Sequence, residues 1–473
     1  MKLSHTLGAT SAVFDDPNLV SSVGLVPALA LAQSVGLVGL AGAHLSVPSD
    51  KGANAGSKVA SLVAGMVAGA DSIDDMAVLR HGGMGRVFTT AYAPSTLGSF
   101  LRSFTFGHVR QLDAVASRFL TGLAAVASPV AVGVKELAVV DIDDTVIEVH
   151  GYAKQGAGFG YNQVRGLNAL IATVSTERAA PVIVAQRLRK GSANSARGAQ
   201  RLVRDALKTV RGLAGPTDGP AETSQLGRVL LRADSAYYGH AVVGAALKTG
   251  AEVSVTVRMD KKVKAAIAAI DPDAWTTIAY PRAVPDEATG QWISVAEVAE
   301  IEFTAFTSKK KADQITGRLV VRRIPDLNTQ PGQGTLFEQW RHHAFFTTTP
   351  RAVADTVTAD KVHRGHAIIE QVHADLKDSA LAHLPSGKFT ANAAWLVLAV
   401  MAFNLTRATG TLSGPDLARA TTGTIRRKLI NVPARAATSG RRLTLHLPRA
   451  WPWEHAWTTL FTAVNDPPAA LAA

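Results

Sequence analysis

The chain has 473 residues, 47% apolar and 18% charged, which is typical of globular proteins and long enough for two or three domains. Lysine plus arginine exceeds aspartate plus glutamate by 49 − 37 = 12, which favours a polyanionic partner such as nucleic acid over an acidic protein. The absence of cysteine excludes disulfides, thiolate zinc sites and a cysteine nucleophile, leaving carboxylates and histidines as strong ligands.

The first uncharged stretch, residues 19–43, is long enough to cross a bilayer. Pro27 and several Gly and Ser residues interrupt it, Asp15 and Asp16 precede it, and a basic leader with a cleavage site is lacking. We therefore expect two short buried helical pieces, no membrane partner, and a soluble cytoplasmic protein.

Residues 1–130 as a whole are predicted to be mostly helical. A basic, glycine-rich turn at residues 80–83 leads toward a helix with Arg102 and Arg110, which fits a small domain that contacts DNA. The same pattern fits a plain helical bundle, which is the commoner structure when nothing else points to DNA.

Residues 137–151, LAVVDIDDTVIEVHG, are predicted to form a strand that carries three carboxylates. Alternation places Asp141 and Asp143 on one face and Asp144 on the other. Carboxylates in an apolar strand are costly to desolvate unless they bind a cation, share a proton or lie at the strand's edge. A metal site explains them most simply.

The following pattern alternates strands with helices. Strands are predicted at 167–174, 181–188, 228–233 and 251–257, and helices at 194–213 and 240–248. This order predicts an α/β fold with a mixed sheet. Asp234 follows one of the apolar strands directly, at the carboxyl end where α/β folds commonly place their chemistry.

Residues 263–348 are predicted to form a mostly β insertion that contains Trp275, Trp292 and Trp340. A helical region opens at residue 349. Its segment 362–379 places five polar residues on one helical face: His363, His366, Glu370, His373 and Lys377. Residues 391–402 are apolar all round, which predicts a buried helix too short to span a membrane.

The last part of the chain, residues 424–446, is strongly basic, as solvated tails often are, and it adds to the case for nucleic acid. Trp451, Trp453 and Trp457 follow it and are expected to pack the tail down. Among the acids of the whole chain, Asp143, Asp234 and Glu370 come from separate segments and are what a pair of Mg²⁺ ions needs for displacement at phosphorus.

Three motifs, VVDIDDT, LRADSAYYG and HRGHAIIEQVHADLKD, occur in the order and at the separations of the cut-and-paste DDE transposases of bacterial insertion sequences, which the chain resembles. The resemblance implies an RNase H-like mixed sheet flanked by helices and interrupted by the β insertion. It implies a helical N-terminal, DNA-binding domain (1–130), a catalytic core in two parts (131–262 and 349–410), the insertion (263–348) and a basic C-terminal region (411–473).

The resemblance also implies chemistry and partners. Asp143, Asp234 and Glu370 are the expected ligands of two Mg²⁺ ions, with Mn²⁺ able to substitute, although Asp141 shares the strand face of Asp143 and stays an alternative ligand. The expected partner is double-stranded DNA, the terminal inverted repeats and the target, bound by a dimer at the nucleoid. Expected DNA contacts are Lys377, His363, His366, Arg364, Trp275 and Trp292, with packing inside the insertion as the alternative role of the two tryptophans.

Three other interpretations stay open. Asp141-Ile-Asp143-Asp-Thr145 also matches the nucleophile motif of haloacid-dehalogenase-like phosphatases. A catalytically inactive, transposase-derived DNA-binding protein is the second, because histidines occupy positions 363 and 366, where the family has tyrosine and arginine. The third is a zinc site on one helix face, formed by His363, His366, Glu370 and His373.

Overall fold

A computed structural model describes residues 1–48, 50–127, 132–160, 163–215, 227–285, 292–325 and 340–465, with side chains omitted at 280–285 and 292–294. The helices are α1 (Leu25–Ser34), α2 (Leu37–His44), α3 (Ala55–Ala68), α4 (Met84–Val87), α5 (Pro94–Arg102), α6 (Phe106–Val126), α7 (Ala199–Leu213), α8 (His240–Leu247), α9 (Lys261–Ala268), α10 (Thr356–Arg364), α11 (Ile368–Lys377), α12 (Phe389–Leu412), α13 (Pro415–Ala418), α14 (Thr422–Ile425) and α15 (Glu454–Asn465).

The strands are β1 (Leu19–Val20), β2 (Leu137–Glu148), β3 (Gly158–Phe159), β4 (Arg165–Ser175), β5 (Val182–Lys190), β6 (Arg228–Ala233), β7 (Glu252–Thr256), β8 (Thr276–Pro285), β9 (Trp292–Ala305), β10 (Ile315–Pro325), β11 (Trp340–Thr347), β12 (Ala434–Ser439) and β13 (Arg442–His446). The predicted α/β fold with a mixed sheet and flanking helices is confirmed. The predicted acidic strand forms as β2, and the long helix after β5 begins at Ala199 rather than at 194.

The central sheet has β2 in its interior. β2 runs antiparallel to β4 and parallel to β6, and β6 runs parallel to β7. The parallel register pairs Ile142 with Ala233, so the next residues, Asp143 in the middle of β2 and Asp234 directly after β6, lie side by side on one rigid framework. Apart from the acids and Arg232, β2 and β6 consist mainly of valine, isoleucine, leucine and alanine, and most of β6 and the first half of β2 are buried.

The β insertion continues this sheet. β11 pairs antiparallel with β7, and β10, β9 and β8 follow in order, so that the chain leaves the core after β7 and returns beside it. The predicted β character of the region is confirmed. Its attachment as an extension of the central sheet depends on pairing between residues about ninety positions apart, for example Val255 with Phe346.

The helix α12 lies at the centre of the helical layer. It packs against α6, α3 and β5, and the predicted buried helix at 391–402 is therefore confirmed. Its predicted length is wrong, because the helix has 24 residues and is long and apolar enough to cross a membrane by those two criteria; 89% of its most apolar window is buried inside the protein. The expected pair of short helices at 19–43 forms as α1 and α2, bent by 52°.

The two ends of the chain meet in a small three-stranded sheet of β1, β12 and β13, and α15 packs against α1 and α12. The closing tryptophans fix this arrangement, as predicted. Trp451 donates from its indole nitrogen to the Lys428 carbonyl at 3.1 Å, and Trp457 is buried and stacks on Phe461 with ring centroids 5.1 Å apart.

Candidate active site

Asp141 is bound inside the protein by a basic partner on the next strand. It lies opposite Arg232 in the β2–β6 register, is fully buried, and receives Arg232 Nε at 2.8 Å and Nη2 at 2.7 Å on its two oxygens. His366 Nδ1 lies 2.8 Å from Oδ1 of the same carboxylate. Both carboxylate oxygens therefore have partners, which removes Asp141 as a first choice for a cation ligand and as a phosphatase nucleophile.

Asp143, two residues further along the same strand face, lies beside Asp234. Burial raises the pKa of Asp143 to about 7, and the negative charges of Asp234 and Asp144 add to the rise. Asp234 is exposed overall, but partial desolvation of its carboxylate also raises its pKa, with the charge of Asp144 again adding. Asp234 Oδ1 accepts a hydrogen bond from the Ala236 amide at 3.0 Å and so caps the short 3-10 helix Ser235–Tyr237.

Asp144 lies on the opposite face of β2 and is in a different electrostatic situation. Burial acts to raise its pKa, but hydrogen bonds from Asn168 and Tyr237 and the charge of Arg189 outweigh that effect and lower the pKa below its ordinary value. The negative charge of Asp144 is thus balanced by hydrogen bonds and a positive charge from the protein, whereas Asp143 and Asp234 repel each other. Asp143 is half-buried and Asp234 is exposed to solvent, so a cation can reach both carboxylates, and two neighbouring carboxylates fit a hard divalent cation such as Mg²⁺ or Mn²⁺.

The predicted helix at 362–379 is broken. α10 ends at Arg364, a 3-10 turn covers Gly365–Ala367, and α11 begins at Ile368 and packs against β2. His373 on α11 places Nδ1 3.7 Å from Asp143 Oδ2. Burial lowers the pKa of His373 to about 4, so the imidazole is neutral near pH 7.

Glu370 lies one helical turn from both His366, which contacts Asp141, and His373, which faces Asp143. Glu370 therefore lies on a helix that is adjacent to Asp141 and Asp143 of β2. Its side chain is exposed. In the described ranges, no three carboxylate or histidine side chains come together at metal-ligand spacing. The structure thus brings Asp143 and Asp234 together and places Glu370 on the adjacent helix, outside a three-ligand cluster.

His363 leaves the predicted polar face and packs inside the protein. Its ring stacks on Phe345 with centroids 4.0 Å apart, and its two nitrogens are hydrogen-bonded to Ser254 Oγ at 2.8 Å and Thr256 Oγ1 at 3.1 Å. Burial, together with nearby positive groups, lowers its pKa to about 3. Both ring nitrogens are thus occupied, which corrects the expected DNA contact at this residue and makes the zinc interpretation wrong.

The other expected DNA contacts differ in their surroundings. Lys377 is exposed at the end of α11, His366 is held by Asp141, and Arg364 Nε donates to Asp360 at 2.8 Å. The Trp275 ring lies 4.1 Å from the Arg323 guanidinium, which Trp340 covers on a second side at 4.4 Å, so Trp275 packs within the insertion. The side chain of Trp292 lies outside the described residues.

A comparison with protein families bears on this arrangement. The family model described as "Transposase DDE domain group 1" matches residues 9–468. The chain belongs to the DDE transposase family. No curated protein matches the transposase. The match includes Asp143, Asp234 and Glu370 and the insertion that precedes Glu370, which makes the phosphatase interpretation wrong.

Several residues that shape the site of the transposase do not stand out in the sequence. Arg232 is the clearest: it lies within an apolar strand two positions before Asp234, and a buried arginine in a strand needs an acid opposite it. An arginine at this place in an apolar strand therefore indicates a buried ion pair with a neighbouring strand. Asn168, Arg189 and Tyr237 surround Asp144 on the other face, and only the assembled sheet shows that they meet.

Proposed function

We propose that the transposase cuts DNA at the terminal inverted repeats of a bacterial insertion sequence and joins the freed ends to target DNA. Asp143, Asp234 and Glu370 would hold two Mg²⁺ ions, which Mn²⁺ can replace. The observation that carries the proposal is the pair of neighbouring carboxylates of Asp143, in the middle of β2, and Asp234, directly after the parallel strand β6; the charge of Asp234 helps to raise the pKa of Asp143. Membership of the family supports the reaction class.

The residues of the chain have separable roles in this reaction. Asp143 and Asp234 supply fixed oxygen ligands, and Glu370 supplies a third from the helix beside them. Arg232 neutralises Asp141 and donates to the Val362 carbonyl near the end of α10, so the acid-bearing strand is fixed against the helix that precedes the one carrying Glu370. The ions, when bound, activate the attacking oxygen and stabilise the leaving oxygen.

The DNA partner is supported by the charge of the surface. The net charge of +12 suits a polyanion, and α7 presents an exposed stripe of basic side chains: Arg201, Arg204, Lys208 and Arg211. Lys377, two turns beyond Glu370, would contact the DNA backbone near the cut. Two transposon ends must be paired before strand transfer, so a dimer on DNA at the nucleoid is part of the proposal.

The test uses a duplex that carries the element's own inverted repeat, labelled at one end, with Mg²⁺ or Mn²⁺. The wild-type protein is expected to nick the repeat, and Asp143→Asn, Asp234→Asn and Glu370→Gln are each expected to abolish nicking while keeping DNA affinity. Asp313→Asn, at an exposed turn between β9 and β10, is the matched control and should nick normally. A wild-type protein that binds the repeat and never nicks it would be an inactive, transposase-derived DNA-binding protein, contrary to the proposal.

A further inference from the structure

A buried polar network lies behind the two aspartates, on the opposite face of β2 from Asp143. Asp144 accepts hydrogen bonds from Asn168 Nδ2 and from the Tyr237 hydroxyl, and Arg189 Nη2 lies 3.1 Å from its Oδ2. Tyr237 is fully buried, and Asn168 and Arg189 are nearly so. A buried carboxylate with this many donors has a fixed orientation.

The rest of the network is also tied to the backbone. Arg189 Nε and Nη2 donate to Asn168 Oδ1 at 2.9 and 2.6 Å, which orients the amide that faces Asp144. Arg189 Nη1 donates to three carbonyls of the segment before α7: Asn194 at 3.2 Å, Ser195 at 2.6 Å and Arg197 at 2.9 Å. Asp144 is therefore a rigid acceptor next to Asp143 in the chain.

Tyr237 belongs to the turn that carries Asp234. Its backbone amide donates to the Asp234 carbonyl at 3.2 Å, and the 3-10 helix Ser235–Tyr237 is capped by the Asp234 side chain. The Tyr237 hydroxyl bond thus links the residue after Asp143 to the residue three positions after Asp234. It is a side-chain connection between the two segments that hold the proposed ligands.

Such a connection opposes the repulsion between the two carboxylates. Like charges in a partly buried site push their segments apart, and a loop after a strand end yields more readily than the strand. Cation binding requires ligand oxygens held close to their final separation. The ring of Tyr237 fills the core, so phenylalanine preserves packing and removes only the hydroxyl.

We propose that Tyr237 is a positioning residue: its hydrogen bond to Asp144 fixes the separation of Asp143 and Asp234 at the distance that divalent cations need. The inference rests on the proposed function, because it takes Asp143 and Asp234 as the ligands. It assigns a role to a residue that touches neither the cation nor DNA.

The test compares Tyr237→Phe with Tyr238→Phe, its neighbour, whose ring stacks on Phe306 at 5.1 Å. Calorimetric titration of the full-length protein with Mn²⁺, without DNA, is expected to show a Kd raised about 10-fold in Tyr237→Phe, the lower end of the effect of losing a group bonded directly to a metal ligand, because Tyr237 acts on the ligands through Asp144; the Kd should be unchanged in Tyr238→Phe. In the nicking assay, Tyr237→Phe should need correspondingly more Mg²⁺ for half-maximal rate, and saturating Mg²⁺ should restore most of the rate.

Urea unfolding without divalent ions shows whether each variant is folded. Normal Mn²⁺ affinity in folded Tyr237→Phe would overturn the inference, since the hydroxyl would then serve only packing. A Tyr237→Phe protein that does not fold overturns it too, because the hydroxyl would be needed by the fold itself. Asp143→Asn distinguishes a failure of the proposed metal site from a failure of the role given to Tyr237. It must weaken Mn²⁺ binding if the proposed site is right, whatever Tyr237 does. Normal Mn²⁺ binding by Asp143→Asn would contradict both the site and the inference about Tyr237.

Discussion

Asp141 and Arg232 form a two-point ion pair between adjacent parallel strands, with Arg232 Nε 2.8 Å from Oδ1 and Nη2 2.7 Å from Oδ2. The carboxylate is fully buried and the guanidinium is 6% exposed. Arg232 also donates to the Val362 carbonyl, so the pair connects the sheet to the helix that precedes Glu370. Two acids of one strand face thereby acquire different roles: Asp141 is structural, and Asp143 is left beside Asp234.

The first prediction concerns the stability of this pair. Asp141→Ala leaves the buried Arg232 guanidinium without its carboxylate and is expected to lower the free energy of unfolding by about 3–5 kcal/mol, as is usual when one partner of a buried pair is removed. Urea unfolding followed by circular dichroism measures the change. Asp313→Ala is the exposed control and should stay within about 0.5 kcal/mol of wild type. An equally small effect of Asp141→Ala would contradict the structural role.

The second prediction follows from the pKa of Asp143, which is about 7 in the folded protein against 3.8 for the free side chain. The unfolded chain loses this proton first, so Asp143 lowers stability as pH rises from about 4 to 7, by at most about 4 kcal/mol at 1.36 kcal/mol per pKa unit. The 24% exposure of the carboxylate reduces that limit through solvent screening.

Asp143→Asn should therefore be more stable than wild type at pH 8 and equal to it near pH 3, as measured by urea unfolding across the pH range without metal. Addition of Mg²⁺ at pH 8 should stabilise the wild-type protein and leave Asp143→Asn almost unchanged, because a ligand that binds the folded state adds its binding free energy. If Asp143→Asn were less stable than wild type at pH 8, the negative charge of Asp143 would already be balanced by favourable interactions within the folded protein.

Much of this site follows from local sequence pattern. The alternation in β2 separates Asp144 from Asp141 and Asp143, and the apolar run of β6 ends at Asp234, as expected from strand geometry. The local pattern does not show whether Asp141 or Asp143 is the cation ligand, because this depends on the ion pair of Asp141 with Arg232, which is 91 positions away in the chain.

The residue type at position 365, in the break before Glu370, also depends on a contact that is distant in the chain. A Cβ atom at Gly365 would lie 2.5 Å from Arg232 Nη1, so the chain passes Arg232 too closely for a side chain at that position. The helical periodicity of residues 362–379 cannot predict that Gly365 lies so close to Arg232. It predicts one continuous polar face, whereas the 3-10 turn at Gly365–Ala367 leaves His363 against Phe345.

The third prediction tests Lys377 as a DNA contact. If its ammonium group binds one phosphate, Lys377→Ala should weaken binding to inverted-repeat DNA and reduce the slope of log K against log salt by about 1. Fluorescence anisotropy at several salt concentrations gives the slope. Lys310→Ala, in the exposed turn between β9 and β10, is the matched control and should keep the wild-type slope. An unchanged slope in Lys377→Ala would place Lys377 outside the DNA interface.

The last prediction concerns the edge of the sheet. In the part of the chain that the structure describes, β5 pairs with β4 alone, and Asn404 of α12 covers its other side. The Asn404 side chain accepts from the Ile183 amide at 2.9 Å and donates to the Ile183 carbonyl at 2.8 Å, and it is 2% exposed. The amide group thus acts as one more rung of the β ladder.

Asn404→Leu should leave one buried backbone donor and one acceptor without these bonds, at about 1–3 kcal/mol each, and so lower the free energy of unfolding by about 2–6 kcal/mol. Asn465→Leu is the control, since Asn465 Nδ2 donates to the Phe461 carbonyl at 2.9 Å on an exposed helix end where water replaces the bond. Urea unfolding of both variants measures the difference. Similar losses in the two would mean that water reaches β5 and that α12 covers this edge by apolar contact alone.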